Sequence, residues 1–517
     1  MQALTRVVHD QPVVKLLAYT PKPYDLAVAS ARTCYSPGLV FAETVTEGQR
    51  ERIGKSIFEA GHHTPFQHPT FIFGLENVSR QFVWSFLHSH PFYNSEQSSQ
   101  RYVNLANEAR AFVPPLPPHA AEVYEQAVLA AWQAYNEISD LLKADYRRLM
   151  TKIGQKKGQS DKKIESEIEK KAIEMARYVL PVGAYTSLYH TISGIELQRY
   201  VRMMNTGDTP YENNLVVQAM VEEVRKVDPD FLSRVGDGPI AEERVPEHRV
   251  RHHPDGDAFA AEFDRQLAGR TSRLVSYDPQ GERLVADSVR EVLGLTSEQM
   301  TDAEAIDLAV NPAKNPHLLD TLNAWGHSPL TRALNHAQYT FRKKISHTAD
   351  SQDQRHRTVP GSRPLLTRVH TRRPDFITPP VVHQNPTAHE RYVEAMEDLW
   401  SAKEELIGMG VSAEFACYLL PNATAIRFTQ SGSLLNLMHK WRLRTCFLAQ
   451  EEIYDASMDE LSQVRSVHPN LSRHIGPPCV FRKGLVEEDP LIGPCPEGPR
   501  WCGIDVWRNF PNVKRPF

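Results

Sequence analysis

The 517-residue chain has no run of about 18 apolar residues, so nothing in it reads as a membrane-spanning helix. Six cysteines are too few for a disulfide framework, and a reducing cytoplasm is the expected location. The N-terminal MQALTRVVHDQPVVKLL lacks the charged, apolar and small-residue layout of a signal peptide, which fits that expectation. A net charge of −4 offers no general attraction for nucleic acid or anionic membrane, so neither is expected as a partner. The GxGxxG, GxxxxGK[ST], GxSxG and HExxH signatures are all missing, which excludes the common phosphate-cradling, serine-hydrolase and zinc-protease motifs. What is present is ordinary for a globular protein: 41% apolar and 24% charged residues, with length for more than one hydrophobic core.

The chain is one unit written twice. MARYVLPVGAYTSLYHTISGIELQRYVRMM (175–204) aligns with FACYLLPNATAIRFTQSGSLLNLMHKWRLR (415–444) at an offset of 240, which carries Leu180-Pro181 onto Leu420-Pro421 and Ser193 onto Ser433. The same offset holds for VRKVDP (224–229) against VRSVHP (464–469). Upstream, GHHTPFQHPTFIF (61–73) resembles GHSPLTRALNHAQYTF (326–341), and SSQRYV (98–103) pairs with QDQRHRTV (352–359). Self-similarity of this length indicates a duplicated domain rather than a short-repeat solenoid. The expected organisation is a first repeat over 1–236, a polar linker over 237–271, a second repeat over 272–476 and an extension over 477–517. Two segments occur in one copy only: KIGQKKGQSDKKIESEIEKK (152–171), which reads as a solvated helical insertion, and the Pro-rich extension with three cysteines.

The densest polar cluster is RQFVWSFLHSHPFYNSEQSSQRY (80–102), with His88, His90, Asn94, Glu96, Gln97, Ser98, Ser99, Arg101 and Tyr102 close together. Arginine beside hydroxyls and amides suits a phosphate joined to a planar polar ring, because guanidinium grips phosphate bidentately while the shorter groups read ring edges. A solvated helix end with routine capping is the plainer reading of the same residues. His62, His63, His68, His88 and His90 admit a metal, but their carboxylate partners are sparse and HxH spacing is weak evidence. Cys34, Cys417 and Cys446 lie in apolar settings that suit packing better than nucleophilic chemistry. His474, Cys479, Cys495 and Cys502 admit a structural zinc, with plain thiols as the alternative.

The ordered set GH-x-TPF-x-H, RQ, SEQSSQRY, AR-x-x-LP and LR-x-x-x-x-AQ-x-E resembles the flavin-dependent thymidylate synthases, whose signature is an RHR triplet followed by S-x-N-E-x-S-x-RY. The resemblance covers roughly 12–235 and 272–476. It implies an α+β fold with two tandem domains of the family type, each a mixed sheet packed with long helices. It also implies FAD held between subunits and dUMP stacked on the flavin. A methylene passes from methylenetetrahydrofolate to uracil C5 to give dTMP, and NADPH serves as reductant. The cofactor carries the hard chemistry, so the protein has to orient and polarise.

Carried over position by position, the resemblance implies catalytic roles for Arg101 and Arg444. It implies nucleotide contacts from Gln81, Glu96, Gln97, Ser98, Ser99, Tyr102 and Arg177, and flavin contacts from His62, His63, Thr64, Gln67, His88, His90, Asn94, Ser193 and Ser433. The counterpart of Arg177 is Cys417 and that of Arg444 is Met204, so each copy lacks one nucleotide arginine and keeps the other. The RHR triplet is missing from the first copy. The expectation is a homodimer that mimics the family tetramer and keeps half of its composite sites, with a weak mirror set around Arg355. The rival readings are an enzyme with an altered uridine nucleotide or product, a catalytically dead nucleotide-binding scaffold, and a histidine metalloenzyme.

Overall fold

The computed structural model describes residues 4–234, 236–250 and 252–516. Positions 1–3, 235, 251 and 517, which fall within the expected first repeat, linker and extension, lie outside the described residues. Among the described residues no helix is long and apolar enough to cross a membrane.

Each repeat builds a four-stranded sheet. The first has β1 (Val13–Tyr19), β2 (Thr70–Ser79), β3 (Tyr93–Gln97) and β4 (Tyr185–Ser193), paired in the order β1-β2-β4-β3. The second has β5 (Ser272–Tyr277), β6 (Gln338–Ser346), β7 (Gly361–Ser362) and β8 (Ala425–Ser433), in the order β5-β6-β8-β7. Every ladder in the two sheets is antiparallel. Even an irregularity recurs: the β1–β2 register shifts between Leu16 and Ala18, and the β5–β6 register between Leu274 and Ser276. Alternation buries Phe71, Phe73 and Leu75 on one face of β2, and Tyr339, Phe341 and Ile345 on one face of β6. Lys343 occupies an inward position of that β6 pattern, and it pairs there with Asp353 and Glu460.

The helices of the first repeat are α1 (Arg80–His88), α2 (Pro118–Lys156), α3 (Asp161–Ala176), α4 (Gly194–Met203) and α5 (Pro210–Val227). The expected linker contains a helix, α6 (Gly256–Leu267). Its Asp264 pairs with Arg427 of β8, so this stretch is tied to the second sheet rather than loose. The second repeat adds α7 (His347–Asp353), α8 (Pro386–Gly408), α9 (Leu434–Arg444) and α10 (Glu451–Val467). Proline in the first turn opens α2, and Tyr124, Val128, Trp132, Tyr135, Ile138 and Leu142 form its buried stripe at three- and four-residue spacing. That stripe packs against α8 and merges the long helices of both copies into one core. Separate cores fill the first and second sheets.

The copies meet at a local two-fold. Pro181 and Pro421 form an antiparallel bridge, flanked by Val182 N→Leu420 O at 2.7 Å and Asn422 N→Leu180 O at 2.8 Å. Around it, Ser79 Oγ and Tyr418 OH donate to Glu212 at 2.6 and 2.8 Å, while Ser346 Oγ and Tyr178 OH donate to Glu452, each at 2.6 Å. Each glutamate therefore ties the end of its own sheet to the tyrosine of the other copy. Burial raises both carboxyls, Glu212 to about 7.

Candidate active site

Four arginines from both copies converge beside this crossing. Arg80 opens α1, Arg101 follows β3, and Arg177 sits in the tight turn Arg177–Val179 that feeds the crossing from α3. Arg444 closes α9 of the second copy. Arg101 pairs with buried Glu174 through Nε and donates from Nη2 to Leu448 O of the other copy at 2.9 Å. Arg177 Nη2 donates to Gln450 Oε1 at 2.9 Å, again across the copies. Arg444 donates from Nε to His356 Nε2 at 2.8 Å and from Nη2 to Gln352 O at 3.0 Å.

This is more guanidinium charge than the neighbouring carboxylates balance. Burial, with Arg177 alongside, pulls Arg80 down to about 9. Burial, with Arg101 and Arg355 facing it, pulls Arg444 down to about 10 against the opposing pull of Asp353. Burial would raise Glu174, yet Arg101, Lys171 and Arg177 hold it down near 2, so it stays an anion within the cluster. Ser99 Oγ accepts from Arg101 N at 3.3 Å, and Arg101 lies over the exposed Tyr102 ring at 5.3 Å. A cavity of about 410 Å³ opens between Arg80, Ser98, Ser99, Gln100 and Trp132. Arg80 Nε, Gln81 Nε2, Gln100 Nε2, Gln352 Oε1 and His356 Nδ1 are buried without a hydrogen-bond partner among the described residues. Polar atoms left unpaired in one region are what a site for a polar ligand requires.

A second cavity, about 240 Å³, lies where β3 faces the other copy. Tyr93, Asn94, Ser95, Glu96 and Gln97 form one wall, and Arg355 and Arg357 the other. Arg355 Nη2 meets Glu96 at 2.7 Å, and Arg357 Nη2 donates to Asn94 Oδ1 at 3.1 Å. Here a sequence expectation is corrected. QDQRHR does not correspond to SSQRY: it continues from α7 as the partner of α1, and its Arg355-His356-Arg357 is itself an RHR triplet. The signal was in the sequence, in the second copy rather than the first. The two segments share a Gln-Arg pair but occupy different positions in the fold.

The strand register gives the true counterpart of Arg101. Glu96 pairs with Tyr189 on β4, and Ser362 pairs with Thr429 on β8, 240 residues later. The resulting offset of 266 places Thr367 opposite Arg101. Thr367 Oγ1 bonds Asp208 at 3.2 Å, and Asp208 is the counterpart of the Leu448 that Arg101 touches. The mirror site thus has Thr367, Cys417 and Met204 where the first has Arg101, Arg177 and Arg444. It also gathers carboxyls: burial raises Asp208 and Glu414 to about 7 each.

The remaining candidates lie elsewhere in the fold. His62, His63, Thr64 and Gln67 precede β2, at the opposite end of that strand from the crossing, and His63 Nε2 contacts Phe58 O at 3.2 Å. Ser193 and Ser433 begin α4 and α9; Ser433 accepts from Asn436 N as a helix cap. His88 sits against Trp84 O at 2.7 Å and Asp350 at 3.4 Å, and His90 bonds Tyr200 OH at 2.7 Å. Burial lowers both imidazoles to about 4, so they are neutral packing and hydrogen-bonding groups near neutral pH. Gln81 Oε1 meets His347 Nε2 of the other copy at 3.1 Å. The zinc expectation is corrected: among the described residues no group of three or more metal-ligating side chains could hold an ion. His474 faces Asp307, while Cys479, Cys495 and Cys502 pack with Trp501 and Trp507 in the small core of the extension. Burial raises the Cys479 thiol, as it does those of Cys495 and Cys502.

Comparisons with known proteins agree with this duplicated arrangement. The family model described as thymidylate synthase complementing protein matches residues 15–230 and again 273–470. The flavin-dependent thymidylate synthase of Clostridium tetani is 30% identical over 228 residues, covering 43% of this chain and 86% of the relative. That of Nitratidesulfovibrio vulgaris is 28% identical over 258 residues, covering 48% and 94%. That of Geobacter sulfurreducens is 32% identical over 188 residues, covering 36% and 75%. Among solved structures, a UMP/dUMP methylase, PolB from Streptomyces cacaoi bound with 5-Br dUMP, aligns over its whole length and 45% of this chain, with 20% identity and a TM-score of 0.31. With the family unit matched in both halves, this chain belongs to the thymidylate synthase complementing protein family of flavin-dependent enzymes.

Proposed function

We propose that the chain methylates C5 of dUMP to give dTMP, taking the methylene of methylenetetrahydrofolate, and that it does so at one composite site per chain. The convergence of Arg101, Arg177 and Arg444 from two copies, against Thr367, Cys417 and Met204 in the mirror position, carries this reading. A nucleotide phosphate is a dianion, and guanidinium forks bind it in a directional, charge-assisted way. The mirror position has lost all three guanidiniums and gathers two carboxyls, which leaves buried Lys403 near Cys417 and Arg368 beside Thr367 as its cations.

In this reading Arg101, Arg177 and Arg444 hold the 5′-phosphate, and the unpaired amides of Gln81 and Gln100 address the nucleotide's polar edges. Arg355 and Arg357, with Asn94, Ser95 and Gln97 opposite, suit the phosphate and ring edges of FAD. The reduced flavin supplies the hydride, with NADPH as the reductant that restores it. The protein excludes water, aligns C5 with the incoming carbon and compensates the phosphate charge. The His62–Gln67 segment, distant from the cluster within one chain, suits a contribution from a second chain in a homodimer that imitates the family tetramer.

Tritium release from 5-tritiated dUMP, with methylenetetrahydrofolate and reduced flavin, tests the reaction. Release coupled to dTMP formation is expected. Turnover of tritiated UMP in preference to dUMP would transfer the reading to the ribonucleotide, and a colourless protein that neither takes up FAD nor releases tritium would overturn it.

A further inference from the structure

The two segments that only one copy possesses meet each other beside Arg101. The end of α2 and the start of α3, which contain the 152–171 insertion, face the extension at Glu497–Cys502 across a cavity of about 530 Å³. That volume lies within the range of small-molecule sites, about 300–1,000 Å³, and is far larger than a lone phosphate needs. Its cations are Arg101, Lys157, Lys163, Lys170, Lys171 and Arg500. Against these six stand three carboxylates, Glu167, Glu174 and Glu497, an excess of three positive charges.

The insertion has the solvated face its composition suggested, with Lys152, Lys156, Lys162 and Glu165 exposed, but it also turns a row of lysines toward this cavity. Lys163 and Lys170 share Glu167 at 3.0 and 3.1 Å, Lys171 shares Glu174 with Arg101, and Lys157 Nζ donates to Trp501 O at 2.8 Å. One carboxylate per two ammonium or guanidinium groups leaves the cavity short of negative charge. Burial lowers the amines of Lys157 and Lys171, as it does for cations whose hydration is lost and not fully replaced.

We propose that this cavity receives a polyanionic tail, two or more phosphates or carboxylates on one chain, tethered to a substrate that reacts beside Arg101. The inference rests on the reading of the Arg101 cluster as the nucleotide phosphate site, since Arg101 lines both. Two substrates can carry such a tail: a nucleoside diphosphate in place of the monophosphate, or a folate bearing an oligoglutamate chain. Lysines on helices, rather than a rigid arginine fork, suit a flexible chain of anions that need not be held in one geometry.

The full-length protein is titrated calorimetrically with inorganic tripolyphosphate. Wild type is expected to bind it, the K163A/K170A variant roughly tenfold more weakly or not at all, and the exposed control K162A like wild type. Circular dichroism establishes that the double variant is folded; R500A, at an exposed residue of the opposite wall, provides a second variant with the same expected loss. Tritium release is then compared for dUMP against dUDP, and for monoglutamyl against triglutamyl methylenetetrahydrofolate. A higher kcat/KM for either longer ligand, lost in K163A/K170A, supports the proposal and identifies the source of the tail. Tripolyphosphate binding that is absent in wild type or equal in the double variant overturns it, as does an absence of preference for both longer ligands. Loss of all tritium release with tripolyphosphate binding intact indicts the reaction reading and leaves the anion cavity standing.

Discussion

Replacing Arg444 by methionine installs at the working site the residue that the mirror site already carries at Met204. A hydrogen bond from a charged donor contributes about 1.5–3 kcal/mol, so dUMP affinity should fall roughly 10- to 150-fold. The fold should tolerate the change. Arg444 holds no carboxylate: its acceptors are His356 Nε2 and Gln352 O, and burial with Arg101 and Arg355 nearby already depresses its pKa to about 10. Removing it ends its burial cost and its repulsion from Arg101 and Arg355 while forfeiting two hydrogen bonds and the attraction of Asp353, so the melting temperature should move by only a few degrees, about 1 kcal/mol in either direction. Calorimetric titration with dUMP gives both affinity and stoichiometry. Wild type should bind one nucleotide per chain, and the converse M204R variant should gain no second site, because Thr367 and Cys417 still face it. Two nucleotides per wild-type chain, or unchanged affinity in R444M, would refute the single composite site.

Alanine at Arg355 or Arg357 should cost retained flavin, read as the ratio of absorbance near the flavin band to protein absorbance, while R368A in the mirror segment should leave it unchanged. Burial places the folded-state pKa of Asp208, Glu212 and Glu414 near 7, above the usual carboxyl range. Their contribution to stability is therefore full in acid below their unfolded values and is lost as pH rises through 7, with a slope of up to about 1.4 kcal/mol per pH unit for each group. Thermal melts from pH 5 to 8 should show that decline, and D208N, which keeps the oxygen that accepts from Thr367, should flatten it. In the second copy, Lys440 is fully buried between Asp353 and Glu460. K440M should destabilise by about 3–5 kcal/mol, because it leaves buried Asp353 and Glu460 sharing Lys343 as their one lysine; urea denaturation measures this, and a change below about 1 kcal/mol would refute the account.

Much of the arginine cluster was legible in the residues alone. Arg101, Arg177 and Arg444 each stand in a recognisable setting, and the exchange of Arg177 for Cys417 and of Arg444 for Met204 follows from an ungapped offset of 240. The part that escaped involves the segments between β6 and β8, where the copies differ in length and residue identity becomes a poor guide. There the shared Gln-Arg of SSQRYV and QDQRHR outweighed the fact that the second string contains Arg-His-Arg.

The sequence by itself determined the duplication, the two arginine exchanges and the family type, because these depend on local strings whose order survives drift. The tertiary structure decided which residues share a site. Strand register, set by backbone hydrogen bonds rather than side-chain identity, made Thr367 the counterpart of Arg101 and returned Arg355 to the working site. It also brought the 152–171 insertion and the extension together on one cavity, although more than 300 residues separate them in the chain. Charge and spacing are written along a chain, but proximity between its distant parts follows from how buried surfaces close, and that closure gathered Arg101, Arg177 and Arg444 from two copies into one cluster.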